Sequence, residues 1–163
     1  MRKLLAFFLG ASPAQNIIGK EVTPSLSVVD ENEREVNLSS LRGKWIVLYF
    51  YPYDDTPGCT AQAKEFSRLL PDFEKLGAAV YGVSAQSPNS HRNFKRKHNL
   101  QVPLLADTTG KLSDFFGVKR FMGMCSRDVV VINPAGKIAL HRQGVSPQTS
   151  PSEILEWLRQ QPK

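Results

Sequence analysis

Cys59 is the residue of this chain whose type and position best fit covalent chemistry. It is one of only two cysteines in 163 residues and stands in the run FYPYDDTPGCTAQAKEF, residues 50–66. An apolar strand pattern stops there at Pro52 and a helical pattern follows, which predicts that Cys59 lies on the first turn of a helix. Backbone N–H groups and the helix dipole stabilise a thiolate at such a turn, and the thiolate is the nucleophilic form of cysteine.

The residues just before Cys59 bear on that chemistry. Thr56, three positions earlier, can bring its hydroxyl and its backbone N–H close to the sulfur, where they would orient an incoming polar oxygen. Asp54 and Asp55 are turn formers, predicted on a solvated loop, and neither is assigned a catalytic role. The alternative for Cys59 is a small buried hydrophobe, but a core cysteine needs neither a helix start nor a Thr-Pro-Gly lead-in.

The elements that must position Cys59 alternate between strands and helices. The segments SLSVVD (25–30) and REVNL (34–38) predict a β-hairpin at the edge of a sheet. The continuous apolar run KWIVLYFY (44–51) predicts a central strand that is covered on both faces. A helical pattern then runs over residues 60–70, and Pro71 is expected to kink or interrupt it before a further short turn.

The second half of the chain continues the alternation. Strands are predicted in AAVYGVS and VPLLAD, and two more in RDVVVINPAGKIALHR. Helices are predicted in SPNSHRNFKRKHN, with Ser87 or Asn89 near its N-cap, and in KLSDFFG, closed by Gly117. A last helix is predicted in SEILEWLRQQ, where Ile154, Leu155 and Leu158 are expected to be buried. This order predicts an α/β protein with a thioredoxin-like fold, in which helices flank a mixed central sheet.

Composition and charge exclude several classes of protein. A chain of 163 residues is most economically one domain with its own core. The two cysteines and three histidines have no metal-type spacing, so we expect no structural metal and no cofactor. The net charge of +6 is densest in HRNFKRKHN (91–99), which favours a solvated helix face over nucleic-acid binding. No apolar run is long enough to span a membrane.

The first fourteen residues, MRKLLAFFLGASPA, imitate the basic, apolar and small-residue regions of a secretory signal. Because the total length falls just short of such a signal, we expect a retained, nonessential extension in a cytoplasmic protein. Cleavage after Ala14 and export are the alternative.

The motif around Cys59 resembles the signature of the peroxiredoxins, Pro-x-x-x-Thr-x-x-Cys, here Pro52, Thr56 and Cys59. The Thr-Pro-Gly-Cys-Thr version is similar to the bacterioferritin comigratory protein, or peroxiredoxin Q, subgroup. The resemblance runs from about Gly19 to the end and includes YGVSAQSPNSHRNF and ILEWLRQ. It divides the chain into an extension, residues 1–18, and a peroxiredoxin domain, residues 19–163.

This resemblance implies a thioredoxin fold and a thiol peroxidase acting on hydrogen peroxide and organic hydroperoxides. Cys59 would attack the terminal peroxide oxygen and become a sulfenic acid, which thioredoxin or another thiol would reduce. Pro52 would shield the sulfenate, and Thr56 would hydrogen-bond the peroxide. Arg127, at the start of RDVVVIN, matches the family's active-site arginine and would hold the thiolate and bind the oxygen on which charge grows. We expect a monomer, with a weak dimer through loops near the site as the alternative.

The chain departs from the family pattern at the second thiol. Lys64 and Lys95 occupy the two positions where the subgroup often has a resolving cysteine. A separate departure is Gln62, which replaces a glutamate that many members carry and so puts any contact made by that carboxylate in doubt. Only Cys125 remains as a second thiol. It stands two residues before Arg127, and in an extended chain such residues point to the same face, roughly 6.5 to 7 Å apart. We therefore expect Cys125 near Cys59 and favour it as the resolving partner; the alternative is an inert thiol in a one-cysteine cycle.

Two other functions fit the same fold. A thioredoxin-type disulfide oxidoreductase needs a second thiol three residues after the first, where this chain has Gln62, and usually a facing proline, yet no proline occurs between Pro103 and Pro134. A redox sensor or chaperone that uses oxidation of Cys59 to change an interface is the second alternative. Fast consumption of peroxide discriminates a peroxidase from both.

Overall fold

The computed structural model describes residues 17–23 and 26–162. The signal-like segment, residues 1–14, lies outside the described residues. None of the helices in the described part of the chain combines the length and apolarity needed to cross a bilayer.

In the part of the chain that the structure describes, seven strands form one mixed sheet. Their bounds are β1 Ser27–Asp30, β2 Glu35–Asn37, β3 Trp45–Phe50, β4 Ala78–Ser84, β5 Leu104–Ala106, β8 Val129–Ile132 and β9 Ile138–Arg142. They lie in the order β2-β1-β5-β4-β3-β8-β9, and β3 pairs parallel with β4 and antiparallel with β8. The predicted central strand is confirmed, because every residue of β3 after Trp45 is buried.

Among the described residues, four α-helices cover this sheet: α1 Pro57–Lys75, α2 Pro88–His98, α3 Lys111–Phe116 and α4 Ser150–Arg159. Because side chains alternate along a strand, the sheet has a core on each face. One core joins Tyr49 and Tyr51 to residues of α1, α2 and α4, and the other joins Leu48 and Phe50 to α3 and the hairpin β1-β2. This is the predicted thioredoxin-like arrangement of helices around a mixed sheet.

Several predicted features of these elements are confirmed. The hairpin β1-β2 lies at a sheet edge, and Gly117 closes α3 with a positive φ of 68°. Ser87 is the N-cap of α2 and accepts a hydrogen bond from the Ser90 N–H, so Asn89 is not. In α4 the predicted Ile154, Leu155 and Leu158 are buried.

The interruption of the first helix at Pro71 is wrong, since α1 continues to Lys75. Pro71 lies on the exposed side of α1, where water can bind the carbonyl that loses its N–H partner. The preceding turn is anchored by Ser67, whose Oγ accepts hydrogen bonds from the N–H groups of Gln101 and Val102. Buried Phe73 anchors the part of α1 beyond the proline.

A small hairpin between α3 and β8 was not predicted. Its strands are β6 Arg120–Phe121 and β7 Met124–Cys125, and its turn places both Met122 and Gly123 at positive φ, 52° and 78°. The tip exposes the side chains of Phe121 and Met122. Two-residue strands fall below the length at which sequence periodicity is detectable.

Candidate active site

The sharp transition from β3 to α1 positions Cys59. Pro52 follows the strand, Thr56 is the helix N-cap with extended backbone, and Pro57 occupies the first helical position, where its missing N–H costs nothing. Cys59 is therefore the third residue of α1, as predicted for the first turn. Its side chain is 1% exposed, so the sulfur is screened from bulk water.

The guanidinium of Arg127 lies directly against this sulfur. Its Nη2 is 3.5 Å from Cys59 Sγ, while its Nη1 donates to the side-chain oxygen of Gln62 at 2.9 Å. Gln62 is fully buried and its amide nitrogen donates to Ser150 Oγ at the start of α4. The amide of Gln62 therefore holds the Arg127 side chain in place. The guanidinium cation in this position can stabilise negative charge on the sulfur and on the oxygen that the sulfur attacks.

The hydroxyl of Thr56 has a defined hydrogen-bonding direction. Thr56 Oγ1 donates to the carbonyl oxygen of Tyr53 at 2.9 Å, and Thr56 makes no side-chain cap bond to α1. Since a hydroxyl has one proton but two lone pairs, the oxygen is left as an acceptor. An acceptor oxygen at the N-cap of the helix that carries Cys59 could receive the O–H of a hydroperoxide.

The expectation that Asp54 lies on a solvated loop is wrong. Asp54 is buried, and its carboxylate accepts hydrogen bonds from Tyr51 OH at 2.6 Å and Ser90 Oγ at 2.8 Å. The Nδ1 of buried His91 lies 2.7 Å from the same carboxylate, and Nε2 donates to the carbonyl of Leu105. The loop that carries Pro52 and Thr56 is thus fixed to β3 and α2 by a polar network.

The local sequence does not indicate that Asp54 and the neighbouring Asp55 have different environments. Asp55 is exposed, with a positive φ of 61°, and pairs with Lys97 and His98 of α2, and these hydrogen bonds lower the pKa of the Asp55 carboxyl. Burial and the adjacent Asp54 charge raise the pKa of Tyr51 well above its ordinary value, so Tyr51 stays neutral and donates. The two adjacent aspartates therefore have opposite environments, one buried and one exposed. The packing of α2 determines this difference.

Cys125 does not lie beside Cys59. The two cysteines belong to the cores on opposite faces of the central sheet. The argument from alternation fails because residues 126–128 are not extended strand: the Asp128 N–H donates to the Ser126 carbonyl at 3.1 Å, and this tight turn is centred on Arg127. Arg127 consequently reaches the Cys59 face while Cys125 stays on the other.

The surroundings of Cys125 keep its thiol protonated. The sulfur lies 3.4 Å from Ser113 Oγ of α3, and burial raises the pKa of the Cys125 thiol despite this hydrogen bond. Cys125 also lines an apolar cavity of about 410 Å³ with Pro52, Phe121 and Met124. Pro52, a predicted site residue, therefore lines the same cavity as Cys125.

A thiol held against a fixed cation can cleave an O–O bond, but this site lacks the nearby second thiol of disulfide exchange. The fold and the site thus define a thiol peroxidase of the thioredoxin fold. Residues 18–141 match the model of the AhpC/TSA family, and the chain belongs to this family.

Curated relatives place the chain among the peroxiredoxins of the Bcp and Q type. Peroxiredoxin Bcp of Bacillus subtilis is 37% identical over 144 residues, covering 83% of this chain and 91% of the relative. The chloroplastic peroxiredoxin Q of Gentiana triflora is 35% identical over 85% of this chain, which spans 65% of that longer protein.

Solved structures agree with the fold. A cysteine-to-serine mutant of Xylella fastidiosa PrxQ superposes with a TM-score of 0.82 at 31% identity, covering 87% of this chain and 94% of the other. The bacterioferritin comigratory protein of Xanthomonas campestris, described for its alkyl peroxide reduction activity, gives a TM-score of 0.79 at 32% identity over 85% and 92% of the two chains. The predicted fold class and the predicted thiol peroxidase activity are confirmed.

Proposed function

We propose that Cys59 is the peroxidatic thiol of this peroxidase and that Arg127, Thr56 and Pro52 complete its site. The observation that carries the proposal is the 3.5 Å contact between Arg127 Nη2 and Cys59 Sγ. The thiolate attacks the terminal oxygen of a hydroperoxide, so that an S–O bond forms as the O–O bond breaks. Sulfur is oxidised by two electrons to a sulfenic acid, and the leaving oxygen takes a proton to become water or an alcohol.

Each neighbour has a part in this step. Arg127 donates to the thiolate and then to the oxygen on which charge grows, and it cannot lose its own proton. Thr56 accepts the hydrogen bond of the peroxide O–H, since its own proton is committed to Tyr53. Pro52 has no N–H, and its ring lies at the end of β3, where it shields the sulfenate from water.

Stopped-flow consumption of hydrogen peroxide tests this function. The reduced protein is expected to react orders of magnitude faster than free cysteine at the same pH, with one sulfenic acid formed on Cys59 per peroxide. A redox sensor or a structural cysteine does not need to react with peroxide at such a rate. A rate equal to that of free cysteine would reject the peroxidase function for this chain.

Thr56→Val should slow the oxidation of Cys59 by about tenfold, because the loss of one transition-state hydrogen bond costs on the order of 1.4 kcal/mol. Thr56→Ser keeps an acceptor oxygen and should react nearly as fast as the wild type. The second-order rate constant with hydrogen peroxide is the measurement, and Thr60→Val, on the next turn of α1, is the matched control. Equal rates for the Val and Ser variants at position 56 would contradict the role.

We propose that an external thiol, from thioredoxin or a similar protein, reduces the sulfenic acid. The thiol condenses with the sulfenic acid, water leaves, and a second thiol resolves the mixed disulfide. The placement of Cys125 across the sheet supports this route, since a disulfide needs Cα atoms within about 7 Å. Cys125 as an internal resolving partner is the alternative and requires Cys59 and β7 to leave their present positions.

Peptide mapping without reductant, after one equivalent of peroxide, decides between these routes. We expect Cys125 to be recovered as a free thiol, and Cys125→Ser to form and lose the sulfenic acid as the wild type does. Iodoacetamide should label Cys125 slowly in the folded protein at pH 7 and faster as the pH rises, because its pKa is raised by burial. A Cys59–Cys125 disulfide within one chain would instead establish the internal route.

We further propose that the monomer is the working unit, that the catalytic domain spans residues 19–163, and that the protein acts in the cytoplasm. The family match begins at residue 18, which supports a catalytic domain that does not use the preceding segment. A chain lacking residues 1–14 should accordingly retain its rate with peroxide.

A further inference from the structure

The sheet does not hold Arg127 directly, because β8 begins two residues later at Val129. The side chain leaves a tight turn, closed by the hydrogen bond from the Asp128 N–H to the Ser126 carbonyl. The position of the guanidinium therefore depends on whatever holds this turn.

The carboxylate of Asp128 holds it. Oδ1 accepts hydrogen bonds from Ser126 Oγ at 2.8 Å and from the Gly144 N–H at 3.3 Å, and Oδ2 accepts one from His141 Nε2 at 2.8 Å. The side chain is 1% exposed, so these three donors replace water around the carboxylate. The Asp128 side chain thus links the two ends of the turn to each other, and links the turn to β9 and to the loop after β9.

His141, on β9, has a feature that the packing of the core does not explain. Its side chain is fully buried, and among the described residues its Nδ1 is a buried nitrogen without a hydrogen-bond partner. Such a nitrogen destabilises the folded state, and an apolar side chain of similar size would avoid that cost. The Nε2 bond to Asp128 is the compensating contact, which identifies donation to this carboxylate as the role of His141.

The backbone on both sides of the turn is fixed as well. The Arg127 carbonyl accepts from the Val145 N–H at 2.8 Å, and the Asp128 carbonyl accepts from the Phe50 N–H at 2.7 Å. Because Phe50 ends β3 and leads into Pro52, the turn that carries the arginine and the strand that leads to the cysteine share a hydrogen bond. Movement of Asp128 would therefore change the geometry between Arg127 and Cys59.

We propose that Asp128 and His141 are positioning residues that hold the Arg127 guanidinium against Cys59. The inference rests on the role proposed above for Arg127. Neither residue touches the sulfur or the peroxide, and both act through the backbone turn. Catalytic groups tolerate little displacement, since a shift of about 1 Å can cost on the order of a hundredfold in rate.

Substitutions at His141 test the proposal. His141→Phe keeps a planar aromatic ring, somewhat larger than imidazole, but removes the donor, and it should slow the oxidation of Cys59 by about tenfold. His141→Gln brings an amide N–H close to the position of Nε2 and should stay within about threefold of the wild type. Ser126→Ala removes another donor to this carboxylate, from a half-buried position. It should also slow the oxidation of Cys59, but by less than His141→Phe does.

The decisive measurement repeats His141→Phe in an Arg127→Ala background. If His141 acts through Arg127, the second substitution should change the Arg127→Ala rate by less than about twofold. An equal loss in both backgrounds would overturn the proposal and leave His141 with a general structural role. An undiminished rate for Arg127→Ala alone would instead reject the role of Arg127, so the two failures are distinguishable.

Asp128→Ala has a matched control in Asp30→Ala. Asp30 also holds a turn through its carboxylate, which accepts from the N–H groups of Asn32 and Arg34, but the turn lies between β1 and β2 at the sheet edge. Asp128→Ala should slow oxidation of Cys59 by about tenfold or more, and Asp30→Ala should leave it unchanged. Urea midpoints report folding for every variant. Equal rates for the two alanine variants, with both folded, would contradict the proposal.

Discussion

Cys59→Ser should reduce peroxide turnover by at least about a thousandfold and leave the fold intact, because removing the nucleophile of a covalent catalyst costs several orders of magnitude. Serine has nearly the same volume, but its hydroxyl is not ionised near neutral pH and cannot form a sulfenic acid. Its oxygen can still accept the hydrogen bond from Arg127, so the half-buried guanidinium keeps this partner.

Stopped-flow and steady-state peroxide assays measure this loss, and near-ultraviolet circular dichroism with urea unfolding reports the fold. Cys125→Ser is the matched control, since it changes the same atom in the other buried cysteine. That variant should keep the wild-type rate of the first oxidation step. Substantial turnover by Cys59→Ser would mean that another group reduces the peroxide.

Arg127→Ala should slow the oxidation of Cys59 by at least about tenfold, equivalent to about 1.4 kcal/mol of lost transition-state stabilisation. The loss has two sources: the sulfur loses its cationic donor, and Gln62 loses the partner of its buried side-chain oxygen. Arg127→Lys keeps the charge but cannot donate in a fork to both groups, so its rate should fall between those of the wild type and Arg127→Ala.

The rate constant with hydrogen peroxide again provides the measurement. Arg68→Ala is the matched control, because Arg68 lies exposed on α1 and its substitution removes the same charge without approaching the site. Arg68→Ala should react as the wild type does. An unchanged rate for Arg127→Ala would show that the guanidinium contributes nothing to peroxide cleavage.

Sequence predicted those parts of the site that local signals determine. The strand end, the Thr-Pro-Gly lead-in and the helical periodicity fall within twenty residues, and they correctly place Cys59 on the first turn of α1. The course of β3 could likewise be read from its unbroken apolar run, because a strand buried on both faces leaves no polar alternation.

The parts that were missed depend on contacts between distant segments. Asp54 is buried only because His91 and Ser90 of α2 approach it, and nothing near Asp54 in sequence indicates this. Cys125 was placed on the wrong face because a single turn at Arg127 interrupts the alternation that the argument assumed. An aspartate directly before the fully buried β8, as Asp128 is, was the available sign of a carboxylate satisfied by distant donors.

If Cys59 is the peroxidatic thiol proposed above, its burial on the first turn of α1 would give the two halves of the catalytic cycle different conformations. Under the proposed function, a small peroxide would need only the closed first turn, whereas a protein thiol would have to wait until that turn opens. The remainder of α1 is anchored by Phe66 and Phe73, so opening is confined to one end. Stabilising the first turn would favour oxidation but prolong the lifetime of the sulfenic acid, and loosening it would do the reverse. On this proposal, an intermediate local stability of the turn, rather than a maximal one, would serve both steps of the cycle.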